Sequence, residues 1–518
     1  MFQVGYFLTR NAGMFPDRLA VVHGDRELTY GQLNKAANRL ANNLSSMGLR
    51  KGERVAFMLP NSVEIVILWH ATQKLGLTAL PVNSRVNADE VAYILNDTQA
   101  TAFIYSDRYE EKAADAVQRS PSLKYIILKN EAPSQDEADL DHLIDLGSEQ
   151  EPDVPVKGED ESVIMYTSGT TGRPKGVMHT HSMVREYSYM MTIENDQSSR
   201  PDVTLVQSPM FHLGGMQHVW RMAAACGTIV MVNRIIPEEI FGDIEKYRVT
   251  QLYILPPILF KRLYGASGWR DRDLSSVRCV MCTGGKCSED ISDMIFEMFP
   301  GALIRLSYGS TEIFGPTLSF VTQDMIARRP ELATTLGTIN TQYELRLVDK
   351  DLRDVPDGEP GEALVRSPMV FRGYLNLPEL NARAFEPGHW FHTEDILRRS
   401  PDGYYFMVDR KKDMIKTGGE NVYAQEVEGA LKDFPEVYDC AVIGLPDPEF
   451  GEAVAAAIVV CEGARLEPLD FLQRCRGCMP SYKKPRYWAL LDSLPVNSVG
   501  KIQKSVLREH PEWFSRIS

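Results

Sequence analysis

Cysteine is scarce in this chain. Eight among 518 residues are too few and too scattered for a disulfide scaffold. Cys475 and Cys478 stand close in sequence, Cys279, Cys282 and Cys287 form a looser group, and His179 and His181 have no cysteine beside them. Reduced structural thiols are therefore expected rather than a zinc site. Positive charge is also in deficit: 56 Lys and Arg stand against 70 Asp and Glu, a formal charge of -14. That excludes an overall attraction to nucleic acid or anionic lipid while leaving room for a local basic site for phosphates. Long apolar runs are missing as well. The most apolar stretch, Trp220–Val232, is too short to span a bilayer and carries Arg221 and Gly227. The first residues have no basic start followed by an apolar run, so neither a signal peptide nor a transmembrane segment is expected. The expected location is cytoplasmic.

What is present is alternation. Short β-branched runs recur at Arg54–Met58, Ala102–Tyr105, Tyr125–Leu128, Val203–Val206, Thr228–Val232, Leu252–Leu255, Val277–Met281 and Leu303–Leu306. Between the first two, Ser62–Leu75 places Val63, Val66, Ile67 and Ala71 on one helical face. Such alternation predicts an α/β fold with stacked, largely parallel sheets. After Gln342 the texture changes: Glu344–Asp349 and Glu362–Arg366 read as strands joined by the Gly/Pro turn Pro356–Gly361, predicting a small barrel-like subdomain. Beyond the charged run Arg410–Asp413 come a helix at Ala424–Leu431, strands at Cys440–Gly444 and Val454–Val460, and a helix at Leu469–Cys475. The expected division is a large N-terminal domain, 1–410, and a small α+β C-terminal domain, 411–518.

The segment richest in chemistry is Tyr166–Gly176, after the apolar strand Val163–Met165. Four hydroxyl residues and three glycines make a loop whose backbone N–H groups can approach phosphate oxygens, with Lys175 supplying charge. The spacing is not that of a Walker A loop. Taken alone, a polar surface turn is the bland alternative.

This segment resembles the phosphate loop of the adenylate-forming superfamily, which holds acyl- and aryl-CoA ligases, amino-acid adenylation domains and beetle luciferases. Further segments resemble its motifs in order: Leu28–Leu33, Lys74–Asn83, Tyr308–Glu312, Trp390–Asp395, Asp409–Asp413, Lys416–Tyr423 and Gly500–Ile502. The resemblance to the acyl-CoA synthetases among them implies an acid–CoA ligase with ATP, Mg²⁺ and coenzyme A, and a C-terminal domain that is mobile. It implies that Thr167, Ser168, Gly169, Thr170, Thr171 and Lys175 grip the β- and γ-phosphates. Glu312 and Thr171 would hold Mg²⁺ and Thr311 the α-phosphate. Tyr308 would stack on adenine, beside Gly284 and Gly285, with Asp395 and Arg410 on the ribose. Lys501 would act between carboxylate and α-phosphate, Lys412 would be the hinge, and Lys416, Gly418 and Gly419 would face CoA.

Pro209–Met216 is the segment most informative about the acid. Amino-acid adenylation domains usually have Asp after its aromatic, pairing with the substrate ammonium. Here His212 stands there, and a buried ammonium without a partner is penalised. In CoA ligases this His resembles a gate between acid site and thiol tunnel. Gly214 and Gly215 would free volume, and Leu213, Met216, Ile313, Phe314 and Gly315 would line the acyl site. No neighbouring Arg or Lys is seen for a second carboxylate, so a fatty or alicyclic monocarboxylate is expected, with an aryl acid as rival. An amine or a carrier protein is the alternative acceptor. No nucleic acid is expected as partner, and a homodimer is left open. Two departures from the superfamily pattern stand near the nucleotide. Lys286 and Cys287 replace a small-Pro pair, and Glu394 replaces a Gly, where its side chain would crowd the entrance.

Overall fold

The computed structural model describes residues 3–131, 139–167, 173–194, 201–283, 287–418, 420–496 and 502–517. Contacts divide it into two units, 1–344 with 365–391, and 345–364 with 392–518. Residues 392–410 thus group with the C-terminal part, ahead of the boundary expected at Arg410.

The first unit holds two large sheets. In one, the strands Leu19–His23, Thr228–Met231, Val203–Val206, Gln251–Tyr253, Cys279–Cys282 and Leu303–Tyr308 run parallel as neighbours. Antiparallel strands flank them, Arg26–Thr29 at one edge and Thr317–Val321 with Thr338–Ile339 at the other. The second sheet runs parallel from Glu161–Thr167 through Thr78–Pro81, Arg54–Met58 and Ala102–Ser106 to Tyr125–Lys129. The β-branched runs predicted from sequence all overlap these strands. Strands buried on both faces read as continuous apolar stretches rather than as alternation.

Helix Val63–Leu75 explains how the sheets are joined. Every one of its residues is buried, and it contacts strand Thr78–Pro81 of one sheet and Leu19–His23 of the other. A helix apolar all round belongs in a core. Its one buried cation, Lys74, gives its ammonium to Asn34, Asn38 and Glu151 at 2.7 Å and to Thr9 at 3.1 Å. Four acceptors answer that charge and offset part of the desolvation, which still holds its pKa below the ordinary value.

A five-stranded sheet of Glu344–Val348, Pro360–Arg366, Trp390–Arg399, Phe385–Glu386 and Tyr405–Arg410 stands where a barrel-like piece was expected, in an open, branched order. The division between the units runs through it. The second unit adds a six-stranded sheet centred on Gly451–Val460, paired along its length with Val437–Asp447. Alternation sorts its two faces. Val454, Ala456 and Ile458 pack with helices Ala424–Lys432 and Pro468–Cys478, whereas Ala455 and Ala457 pack with Leu507 and Phe514.

Candidate active site

Thr167 and Lys175 face each other at the mouth of an antiparallel hairpin formed by Glu161–Thr167 and Lys175–Thr180. Tyr166 anchors the hairpin, donating its hydroxyl hydrogen to Asp97 at 2.5 Å. Ser168, Gly169, Thr170 and Thr171 lie outside the described residues, as do Gly284, Gly285, Gly419 and Lys501.

The Tyr308–Glu312 segment leaves the last parallel strand in a turn that only glycine fits at 309. A Cβ there would overlap the Phe314 carbonyl oxygen and stand 2.7 Å from its carbon. The turn brings Glu312 to Tyr374, which donates its phenolic hydrogen to Oε1 at 3.0 Å. The Glu312 carbonyl accepts the Phe371 N–H at 2.8 Å. The Lys175 ammonium stands 5.2 Å from the centre of the Tyr374 ring, within cation–π range. No sequence pattern singles out Tyr374: it sits on the two-residue strand Gly373–Tyr374, which pairs with Met178 and Val177 on the phosphate-loop hairpin.

His179 is equally committed. It is fully buried, and its Nε2 lies 2.8 Å from the Thr311 carbonyl, which can only accept, so Nε2 carries the hydrogen. Burial lowers its pKa to about 4, with the carbonyl opposing that shift. The ring stacks on Phe314 at 4.4 Å, and Phe314 stacks on Tyr187 at 4.5 Å. The chain passes through this sandwich at φ +52°, a left-handed conformation strained for a bulky residue. Ile313 is buried beside it, its carbonyl accepting from Tyr343 at 2.8 Å, and the Gly315 carbonyl accepts from Asn340 at 2.6 Å.

His212 precedes helix Leu213–Ala225. Its ring meets Phe211 edge-on at 4.6 Å, and burial followed by the Arg85 charge brings its pKa to about 4, so it is neutral near pH 7. Met216 is fully buried. Gly214 and Gly215 behave differently from each other. A Cβ on Gly214 would meet the Tyr253 hydroxyl at 3.1 Å, but one on Gly215 would stand 2.7 Å from the Ser208 carbonyl oxygen and closer still to that of Pro209. Gly215 is therefore a close-packing glycine of the loop-to-helix turn; the space its missing side chain leaves is filled by backbone. The expectation that it frees volume for the acid is corrected accordingly.

In the second unit Asp395 and Arg410 are directly opposed on adjacent strands, Nε to Oδ1 3.3 Å. Asp395 is buried. Glu394 adopts φ +61°, the conformation that favours glycine, and its side chain is exposed. The usual Gly at this place thus reflects backbone shape, and Glu394 turns its carboxylate to solvent. Lys412 and Lys416 are exposed, and Gly418, at φ +58°, donates its N–H to the Phe450 carbonyl at 2.9 Å. Among the described residues no cluster of His, Cys, Asp and Glu is arranged to hold a metal by itself, and no helix is long and apolar enough to cross a membrane.

Thr167 and Lys175 at a hairpin mouth, beside a glycine turn that presents the Glu312 carboxylate, make a polar site at the end of the parallel strands. The chain belongs to the AMP-binding enzyme family, matching it over residues 8–375 and its C-terminal domain over 426–501. It is 33% identical over 510 residues to a feruloyl-CoA synthase of Amycolatopsis, with 98% of each chain covered. It is also 33% identical over 519 residues to the long-chain-fatty-acid–CoA ligase FadD13 of Mycobacterium tuberculosis, again with 98% of each covered. The structure of ATP-bound MatB from Rhodopseudomonas palustris aligns with a TM-score of 0.86 at 27% identity, covering 98% of this chain and 99% of that one. The protein is an acyl-CoA synthetase, joining a carboxylic acid to CoA with ATP.

Proposed function

We propose that the two half-reactions are divided among these residues as follows. Bringing a carboxylate to the α-phosphate of ATP sets two anions against each other, so the site must neutralise charge and fix an in-line approach. Thr167 and Lys175, with Ser168, Gly169, Thr170 and Thr171, grip the β- and γ-phosphates. Thr311 takes the α-phosphate, Tyr308 stacks on adenine beside Gly284 and Gly285, and Asp395 accepts from the ribose hydroxyls with Arg410 alongside. A carboxylate oxygen of the acid attacks the α-phosphorus, the bond to the bridging oxygen breaks, and pyrophosphate leaves. Lys501 stabilises the developing charge. In the second half-reaction the CoA sulfur attacks the acyl carbon and AMP leaves, with Lys416, Gly418 and Gly419 facing the pantetheine and Lys412 as the hinge.

The donor set suits Mg²⁺: Glu312 is a half-buried carboxylate oriented through one oxygen, and hard cations take such oxygens. Glu312 and Thr171 would hold the ion, which when bound supplies positive charge to the phosphates. Neutral His212 suits a gate, since it carries no charge to trap the acid. The acid presents an apolar body, fatty, alicyclic or aryl, to Leu213, Met216, Ile313, Phe314 and Gly315. We place the enzyme in the cytoplasm.

The observation that carries this reading is the hold of Tyr374 on Glu312, with Lys175 over the same ring. The test is a panel of carboxylic acids scored for pyrophosphate release, with thioester detection in the presence of CoA, simple amines or a carrier protein. Thioester formed only with CoA supports the reading; a product with amines alone overturns the assignment of the acceptor.

A further inference from the structure

Arg305 interrupts an otherwise apolar strand, Leu303–Tyr308, and is only 6% exposed. Its terminal nitrogens reach the thioethers of Met191 at 3.0 Å and Met281 at 3.5 Å, both weak acceptors, and its Nε has no partner among the described residues. Asp202, the carboxylate that serves the neighbouring Arg221, is fully taken. It accepts from Gln251 at 2.5 Å, from Thr250 at 2.9 Å and from Arg278, with Arg221 itself at 4.0 Å. Arg221 thus has a carboxylate 4.0 Å away, and no ion pair of Arg305 is found among the described residues. Burying a cation against sulfur alone is expensive, several kcal/mol by general experience.

The surroundings are short of partners in the same way. Both ring nitrogens of buried His218 and the Nε of Arg221 are without a partner among the described residues. Burial and the charges of Arg221 and Arg305 push the His218 pKa well below its ordinary value, so it stays neutral. His218 meets the Tyr253 ring at 4.3 Å, and the Tyr253 hydroxyl accepts from Gln217 at 3.0 Å. Gln217 in turn accepts from Tyr187, the ring stacked on Phe314.

These contacts also place Arg305 relative to the acyl lining. Met191 follows Tyr187 by one turn on helix His181–Glu194, so the sulfur that Arg305 meets and the ring stacked on Phe314 belong to the same helix face. Along its own strand Arg305 is three residues from Tyr308, about 10 Å. No motif covers it, although a charge at an inward position of a buried strand is visible in the sequence.

We propose that Arg305 marks the far end of the acid site and pairs with a second carboxylate, making the preferred substrate a dicarboxylic acid. This rests on the ligase reading and replaces the expected monocarboxylate with a diacid. A carboxylate at that point would accept from the Nε and terminal N–H groups of Arg305 and neutralise the uncompensated charge, whereas a methyl end would leave both unanswered.

The test compares heptanedioate with heptanoate, matched except for the distal carboxylate, by kcat/KM for pyrophosphate release in the full-length enzyme. The wild type should prefer the diacid at least tenfold. Arg305→Met should lower the diacid-to-monoacid ratio at least thirtyfold, and Arg305→Lys should restore part of it. A wild-type preference for heptanoate overturns the proposal even if Arg305→Met fails to fold. Equal loss on both acids in Arg305→Met also overturns it, because a purely structural arginine would act on both alike. Absence of pyrophosphate release with every acid would instead strike the adenylation chemistry on which the proposal rests.

Discussion

Tyr374 donates a 3.0 Å hydrogen bond to Glu312 across 62 residues of chain. It thereby ties the carboxylate of the glycine turn to the hairpin that carries Lys175. A hydrogen bond to a charged group contributes about 1.5–3 kcal/mol, so Tyr374→Phe should lower kcat/KM for adenylation about ten- to hundredfold. The Mg²⁺ concentration for half-maximal rate should rise with it. Glu312→Ala should abolish pyrophosphate release while circular dichroism and the melting temperature stay near wild type. Normal release by Glu312→Ala at modest Mg²⁺ would remove Glu312 from the metal site.

Gly215 and Gly309 should resist substitution for reasons of backbone contact alone. Gly215→Ala drives a Cβ into the Ser208–Pro209 carbonyls, so activity on every acid should fall together with stability, by about 2 kcal/mol or more. Gly214→Ala meets only the Tyr253 hydroxyl and should be the milder change. A Gly215→Ala enzyme of unchanged melting temperature but altered acid preference would return this glycine to the acyl path.

A pH signature should come from Asp409. It is fully buried, and desolvation raises its pKa to about 6, opposed by the Arg410 backbone N–H at 2.7 Å. Its folded value exceeds the unfolded value near 4, so its charged form is disfavoured by folding. The resulting loss of stability develops as pH rises from about 4 to about 6 and is absent below that window. Asp409→Asn should therefore be more stable than wild type at pH 7, by about 3 kcal/mol, and alike at pH 4. A variant that melts lower at pH 7 would show that the charged carboxylate has a partner it needs.

The two half-reactions should be separable by mutation. Lys501→Ala should cripple adenylation yet convert supplied acyl-adenylate and CoA to thioester. Gly419→Leu should do the reverse. Lys412→Pro, which fixes φ at the hinge, should impair the passage between them. Single-turnover assays of each half decide it: equal loss in both halves for Lys501→Ala would make that lysine a general binding residue.

Much of the fold is legible in the amino-acid sequence, and so are the segments that form the candidate site. The parallel strands are visible because buried strands are short, mostly apolar runs that carry β-branched residues, and the pattern of Ser62–Leu75 matches helix Val63–Leu75 to within a residue. The phosphate-loop and Tyr308–Glu312 segments stand out as ordered strings of hydroxyls, glycines and one carboxylate. Tyr374 does not, because its value comes from pairing a two-residue strand with a distant hairpin, which no local pattern encodes. Gly215 misleads for a related reason. A missing side chain looks like space in a sequence, whereas in the fold that space is claimed by backbone. Glu394 holds a backbone conformation that favours glycine, which no local sequence pattern reveals.

The stack of His179, Phe314 and Tyr187 has a thermodynamic consequence. Tyr187 and the imidazole that holds the Thr311 carbonyl both stack on Phe314. An acid that displaces the phenyl ring must therefore disturb the peptide that leads into it from the nucleotide turn. Acid and ATP should then bind with reciprocal synergy: a well-fitting acid lowers the Kd for ATP, and an ill-fitting one raises it by the same factor that ATP raises the Kd of that acid. Phe314→Leu should flatten that dependence and leave the affinity for ATP nearly the same whichever acid is present.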